Sequence, residues 1–338
     1  MKIMKKIKFY HNFSKENRPK LRGIQELKPF RLQINTIFHP KETNLNTFVK
    51  KLKDGCIYYI VIDTLNFYGI KKKEVIIMLI GQLYLEFKRA FTTKNILSWL
   101  CIVVLLPLIC FFPVMQGYIF FSPVEVFQEI LGGIMPLIFP VLIIIIYLPD
   151  FWQEQRNNFI TYTRPRIPLN EYILSKGLIN AVFTGGIIFL MLFFSYTLVE
   201  FIEPHFLQFI KYETPSEYNQ PSNVTFSQFL KYGDLTYFLI YSLWVTLNAI
   251  VYTTISFLLM LIIRHPFIAL SVPFLFYHIF NFIAGIFGVA KFSPLSTIFP
   301  FNIEQQSLWT IMIPFTFLLL ILSILYFIVI RKKEEWMI

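Results

Sequence analysis

Residues able to do chemistry are few in this chain and widely spaced. His278 and Asn281 stand three positions apart in an uncharged stretch, on a similar face if that stretch is helical. A titratable ring inside an apolar segment is a candidate substrate contact or proton carrier. It can equally hydrogen-bond a neighbouring helix, with Asn248 or Tyr252 as the polar partner. The other histidines, His11, His39, His205 and His265, are too dispersed to suggest a metal site, and Cys56, Cys101 and Cys110 form no C-x-x-C pair. No phosphate-binding G-x-x-x-x-G-K-[ST] loop occurs, nor even a Gly-Lys dipeptide. The chain is therefore expected to bind no cofactor of its own, and any ATP to be hydrolysed elsewhere. An intramembrane protease would need paired glutamates and further histidines at depth. Glu334 and Glu335 lie in the tail and His278 stands alone.

The richest constellation is the charged segment 150–176. It begins Asp150–Phe151–Trp152–Gln153–Glu154–Gln155–Arg156 and closes with Arg164, Pro165, Arg166, Pro168, Tyr172 and Lys176. Mixed charge stiffened by two prolines suits either a solvated loop or an element through which a partner moves the spans on both sides.

The elements that must position these residues are apolar. Of the 338 residues 56% are hydrophobic and only 15% charged, too few charges to clothe a water-soluble globule. A bilayer crossing takes about 20 apolar residues, and uncharged stretches of that order lie at 95–124, 130–149, 177–199, 235–263, 266–290 and 305–330. These predict an all-α integral membrane fold of six transmembrane helices, with Pro123, Glu125 and Glu129 in the turn between the first two. Basic residues cluster in segment 150–176, at Arg264 and at Arg331–Lys333, whereas segment 200–234 is acidic. The positive-inside rule then puts both termini and the 150–176 loop in the cytoplasm, in a plasma-membrane protein.

Residues 1–73 form a basic N-terminal segment, with 17 of the 31 Lys and Arg against 5 of the 20 Asp and Glu. Such an excess suits an anionic membrane surface. Nucleic acid is the competing partner, and nothing else in the chain supports it. The segment does not read as a signal peptide, because its charged start runs into Asn, Lys, Glu and Pro. Within the stretch 74–94, Ile76, Leu79, Ile80, Leu83 and Phe87 make one helix face, with Gln82, Glu86 and Arg89 on the other side. That pattern predicts either an amphipathic helix in the membrane interface or a short soluble helix packed on the N-terminal segment. The transmembrane domain would occupy 95–338.

In the 150–176 segment the chain resembles the type-2 ABC exporter permeases. There, a Glu-containing stretch after the second span leads to a Pro-led turn, an aromatic position and a Lys opening the third span. Glu154, Pro168, Tyr172 and Lys176 occupy those places, with Asn157–Asn158 where the family often carries Gly. The resemblance implies an elbow helix, six spans and a cytoplasmic segment that docks on an ATPase. Its implied coupling residues are Glu154, Arg156, Arg164, Arg166, Pro168, Tyr172 and Lys176. Implied partners are an ABC ATPase subunit carrying ATP and Mg, a second permease copy or homologue, and membrane lipid. The expected function is a non-enzymatic permease subunit of an ATP-driven exporter for a hydrophobic or amphipathic compound. Asn248, Tyr252, His278 and Asn281 are candidates for its substrate path, from their depth in the spans. Two other classes compete: a lipid-acting enzyme with His278 as base, and a sensor or scaffold working through the basic segment.

Overall fold

The computed structural model describes residues 73–115, 119–157, 168–214, 223–263 and 265–332. The basic N-terminal segment, Arg164, Arg166 and Arg264 lie outside the described residues. Among the described residues there is no strand, only a single backbone bridge between Phe120 and Tyr212. Helix α1 spans Lys73–Ala90 and α2 Thr93–Val114. The joint between them is built by Thr92, whose side chain caps α2 by accepting from the Asn95 amide at 3.3 Å. The Asn95 side chain reaches back to the Ala90 carbonyl at 2.9 Å.

Helices α3, Pro123–Gly132, and α4, Met135–Ile145, follow. Helix α5 covers Leu148–Arg156. Helix α6 runs Leu169–Leu207, its last stretch from Leu198 in the wider π form. Then come α7, Asp234–Ile262, α8, Pro266–Ile286, the short α9, Pro294–Ile298, and α10, Trp309–Lys332.

Five helices are long and apolar enough to cross a membrane: α2, α6, α7, α8 and α10. Helices α3 and α4 pass that test only together, and they are bent by 69° where they meet. At 1.5 Å per residue, α4 alone reaches roughly 16 Å, about half a hydrocarbon core. The bent pair makes a sixth crossing only if it counts as one span. The expected second span at 130–149 is thus met by α4 and only the end of α3, with a bend between them. Pro123, Glu125 and Glu129 are not a turn but the first turns of α3, which Pro123 opens as a first helical residue. The break falls instead at Gly132–Gly133, where the chain leaves helical geometry.

Helix α7 is the centre of the bundle. In its most apolar 18-residue window 78% of residues are buried, against 11% in α10. It lies close along α6, where a Cβ built at Gly185 would stand 2.9 Å from the Ile250 Cδ1 atom. Small residues permit such approach between apolar helices, which gain nothing from the hydrophobic effect in lipid. Buried polar pairs pin the contact: Thr253 of α7 donates to the Asn180 Oδ1 atom of α6 at 3.1 Å. The outer faces of α2, α8 and α10 expose Leu, Ile and Phe side chains, which suits a chain solvated by lipid. These features together are those of a multi-pass membrane protein.

Candidate functional site

Lys176 is the most unusual residue of the fold. It lies two turns into α6, almost wholly buried at 1% exposure, where an unpaired ammonium would be prohibitively costly. Two carboxylates from other helices meet it. Glu154 of α5 accepts from its Nζ at 2.7 Å, and Glu86 of α1 accepts from the same nitrogen. The remaining valences are filled as well. Tyr172, one turn before Lys176 on the same face of α6, donates its hydroxyl to Glu154 Oε2 at 3.1 Å. Arg89 of α1 bridges to Glu154 Oε1 at 3.0 Å, and Gln82 donates to Glu86 Oε1 at 2.8 Å. Burial pushes the Glu86 carboxyl above the ordinary carboxylate range, opposed by the adjacent Lys176 ammonium.

Local sequence explains how three helices deliver these groups. Gln82 and Glu86 are four apart, hence on one face of α1. Tyr172 and Lys176 repeat that spacing on α6. The α6 N-terminus is set by Pro168, whose carbonyl accepts from the Tyr172 amide at 3.1 Å in the first turn. Helix α5 is anchored on the bundle by Gln155, which donates to the Met260 carbonyl of α7 at 3.1 Å, and by Phe151 against Phe257, 4.8 Å between ring centroids. Helix α1 is held on α6 by the stacking of Phe87 on Phe183 at 5.2 Å. A polar cleft of about 250 Å³ opens beside the cluster, lined among others by Glu86, Arg89, Asp150 and Glu154.

The polar side of α1 therefore faces protein: Gln82 and Glu86 are buried, while Ile80, Tyr84 and Phe87 are exposed. An amphipathic helix alone would turn its polar side to water. Here Lys176 and Glu154 take the place of that water. The sequence places Glu86 on the polar side of α1 but not among the candidate site residues. The available signal was its position four after Gln82 on the polar side of a helix preceding an apolar span.

The structure brings together Glu154, Tyr172 and Lys176. Arg156 is exposed at the end of α5, and Pro168 is exposed at the start of α6. Chemically the cluster is a hydrogen-bonded tie between two acidic and two basic side chains. Lys176 points its nitrogen at two carboxylate acceptors, Glu86 and Glu154. Among the described residues no three His, Cys, Asp or Glu side chains converge as a metal would require.

The four path candidates separate into two pairs. Asn248 and Tyr252, one turn apart on α7, are fully buried and line a cavity of about 220 Å³ between α7, α8, α9 and α10. His278 is half-buried on α8, its ring 4.5 Å from that of Phe274. The neighbouring Tyr277 is the α8 residue that turns inward, its ring 6.1 Å from Tyr252. Asn281 accepts from the Leu295 amide at 2.7 Å, fastening α8 to the start of α9. No family model, curated protein or solved structure matches this chain.

Proposed function

We propose that this chain is the permease subunit of an ATP-driven exporter in the plasma membrane, with both termini cytoplasmic and six crossings, the bent α3–α4 pair being one. It would act with a separate ABC ATPase subunit, which supplies ATP and Mg, and with a second permease copy or homologue. The cargo class is a hydrophobic or amphipathic compound. The observation that carries the reading is the tie at Lys176. Segment 150–176 is the one that resembles an ATPase-docking element, and within it Lys176 bonds Glu154. A force applied there reaches α5, α6 and α1 together. Helices so joined shift as a body, which alternating access requires. Asn248 and Tyr252 support a path through the bundle because they are polar, central and beside open space.

The test is purification of the full chain from native membranes in mild detergent, with identification of co-purifying proteins and assay of ATP hydrolysis. A stoichiometric ATPase bearing a phosphate loop is expected. Glu154→Ala should uncouple hydrolysis from transport or release the ATPase. A chain that purifies alone, under conditions that hold other ABC complexes together, would overturn the reading.

A further inference from the structure

The cavity beside Asn248 and Tyr252 has a second property, independent of any transport cycle. The Asn248 amide nitrogen donates to the Trp244 carbonyl at 2.9 Å, which fixes its oxygen as the atom left over. That oxygen and the Tyr252 hydroxyl are buried, and neither has a hydrogen-bond partner among the described residues. Both side chains are under 2% exposed and line the same space. Thr297 also lines the space, its hydroxyl donating to the Ser293 carbonyl at 2.8 Å, and the remaining wall is apolar, with Phe276, Phe280, Phe317, Ile298 and Leu318 among its residues. A buried acceptor and a buried hydroxyl left unpaired are unfavourable unless something meets them.

We propose that this cavity binds a small amphiphile bearing a single hydroxyl, admitted from the lipid between α8 and α10. The two polar side chains are four residues apart, so they stand about 5–6 Å from each other at their Cβ atoms. One hydroxyl between them can donate to the Asn248 oxygen and accept from the Tyr252 hydroxyl. Size fits a body larger than one ring: a dry apolar cavity of about 150 Å³ takes benzene, and this one is about 220 Å³. A water could bridge the polar pair, but it would leave the aromatic wall without contacts. The mouth is on the lipid side, since Phe280 and Phe317, ring centroids 6.0 Å apart, line the cavity and are both exposed. The site does not rest on the transport reading, because occupancy is measured without an ATPase.

The experiment is photolabelling of the full chain in lipid nanodiscs with a diazirine-bearing octanol, with adducts mapped by mass spectrometry. Saturable labelling of the peptides holding Phe276–Phe280 and Phe317–Leu318 is expected, displaced by 1-octanol but not by octane at equal mole fraction in the bilayer. Asn248→Leu combined with Tyr252→Phe should weaken octanol displacement at least tenfold. Tyr252→Phe alone, which keeps the shape, should weaken it severalfold, so the test survives if the double variant does not fold. Leu318→Trp should block the site. Non-saturable labelling along all lipid-facing helices would overturn the proposal, as would equal displacement by octane. Absence of adducts at these peptides, the result expected if water alone fills the space, would overturn it too.

Discussion

Among the buried polar regions of the described residues, two are built on opposite principles. Around Lys176 two acids, two bases, a tyrosine and a glutamine satisfy one another across three helices. The Asn248 oxygen and the Tyr252 hydroxyl, by contrast, have no hydrogen-bond partner among the described residues, and their side chains line a mostly apolar cavity. A closed network leaves no bond for a ligand and is costly to take apart, so it serves to hold helices together. An open pair beside a void pays for its emptiness and is relieved by a guest. The first region is therefore assigned to force transmission and the second to binding.

Breaking the network should show how unequal its members are. Lys176→Met takes the shared cation from two buried carboxylates, leaving Glu86 with Gln82 alone, and is expected to lower stability by about 3–5 kcal/mol, read as thermal unfolding of the detergent-solubilised chain. Glu154→Gln comes next, at about 1–3 kcal/mol. It removes the charge facing both Lys176 and Arg89 while keeping an acceptor for Tyr172. Glu86→Gln should cost least of the three, under about 1 kcal/mol, because Lys176 keeps Glu154 and a buried charge is removed.

The same position governs a pH effect. The Glu86 carboxyl is raised by burial, so just above the ordinary carboxylate range the folded chain holds a proton that the unfolded chain has lost. Stability then falls as pH rises through that window. Glu86→Gln should flatten this slope in unfolding curves taken across it. The smallest effect belongs to the other region. Tyr252→Phe removes a buried hydroxyl that has no partner among the described residues and should leave the chain no less stable than the parent, with a gain of at most about 1 kcal/mol. A loss comparable to that of Lys176→Met would erase the distinction between the two regions.

Much of the architecture was readable because hydropathy reports length. The apolar stretches at 177–199, 235–263, 266–290 and 305–330 correspond to α6, α7, α8 and α10. Hydropathy does not report direction, and the departures have that cause. The 130–149 stretch is uniformly apolar, so hydropathy passes over the bend, and its one sequence signal is the Gly132–Gly133 pair itself. In the site, Glu154, Tyr172 and Lys176 stood out as charged or aromatic residues bracketing a loop. Glu86 did not, because a helical stripe tells which residues share a face but not what the face meets. The same blindness to rotation separates His278 from Tyr277. One residue turns a helix by about 100°, enough to exchange the residue in the core for the one at its margin.

The balance of the Lys176 network has an electrical consequence. Moving one elementary charge across a membrane potential of 100 mV involves about 2.3 kcal/mol. Above the pH window in which Glu86 ionises, Glu86, Glu154, Arg89 and Lys176 carry two negative and two positive charges bound in one unit. If α1, α5 and α6 shift as a body, that unit displaces no net charge. The membrane voltage then neither drives nor resists its motion, and the work must come from what pushes on the helices.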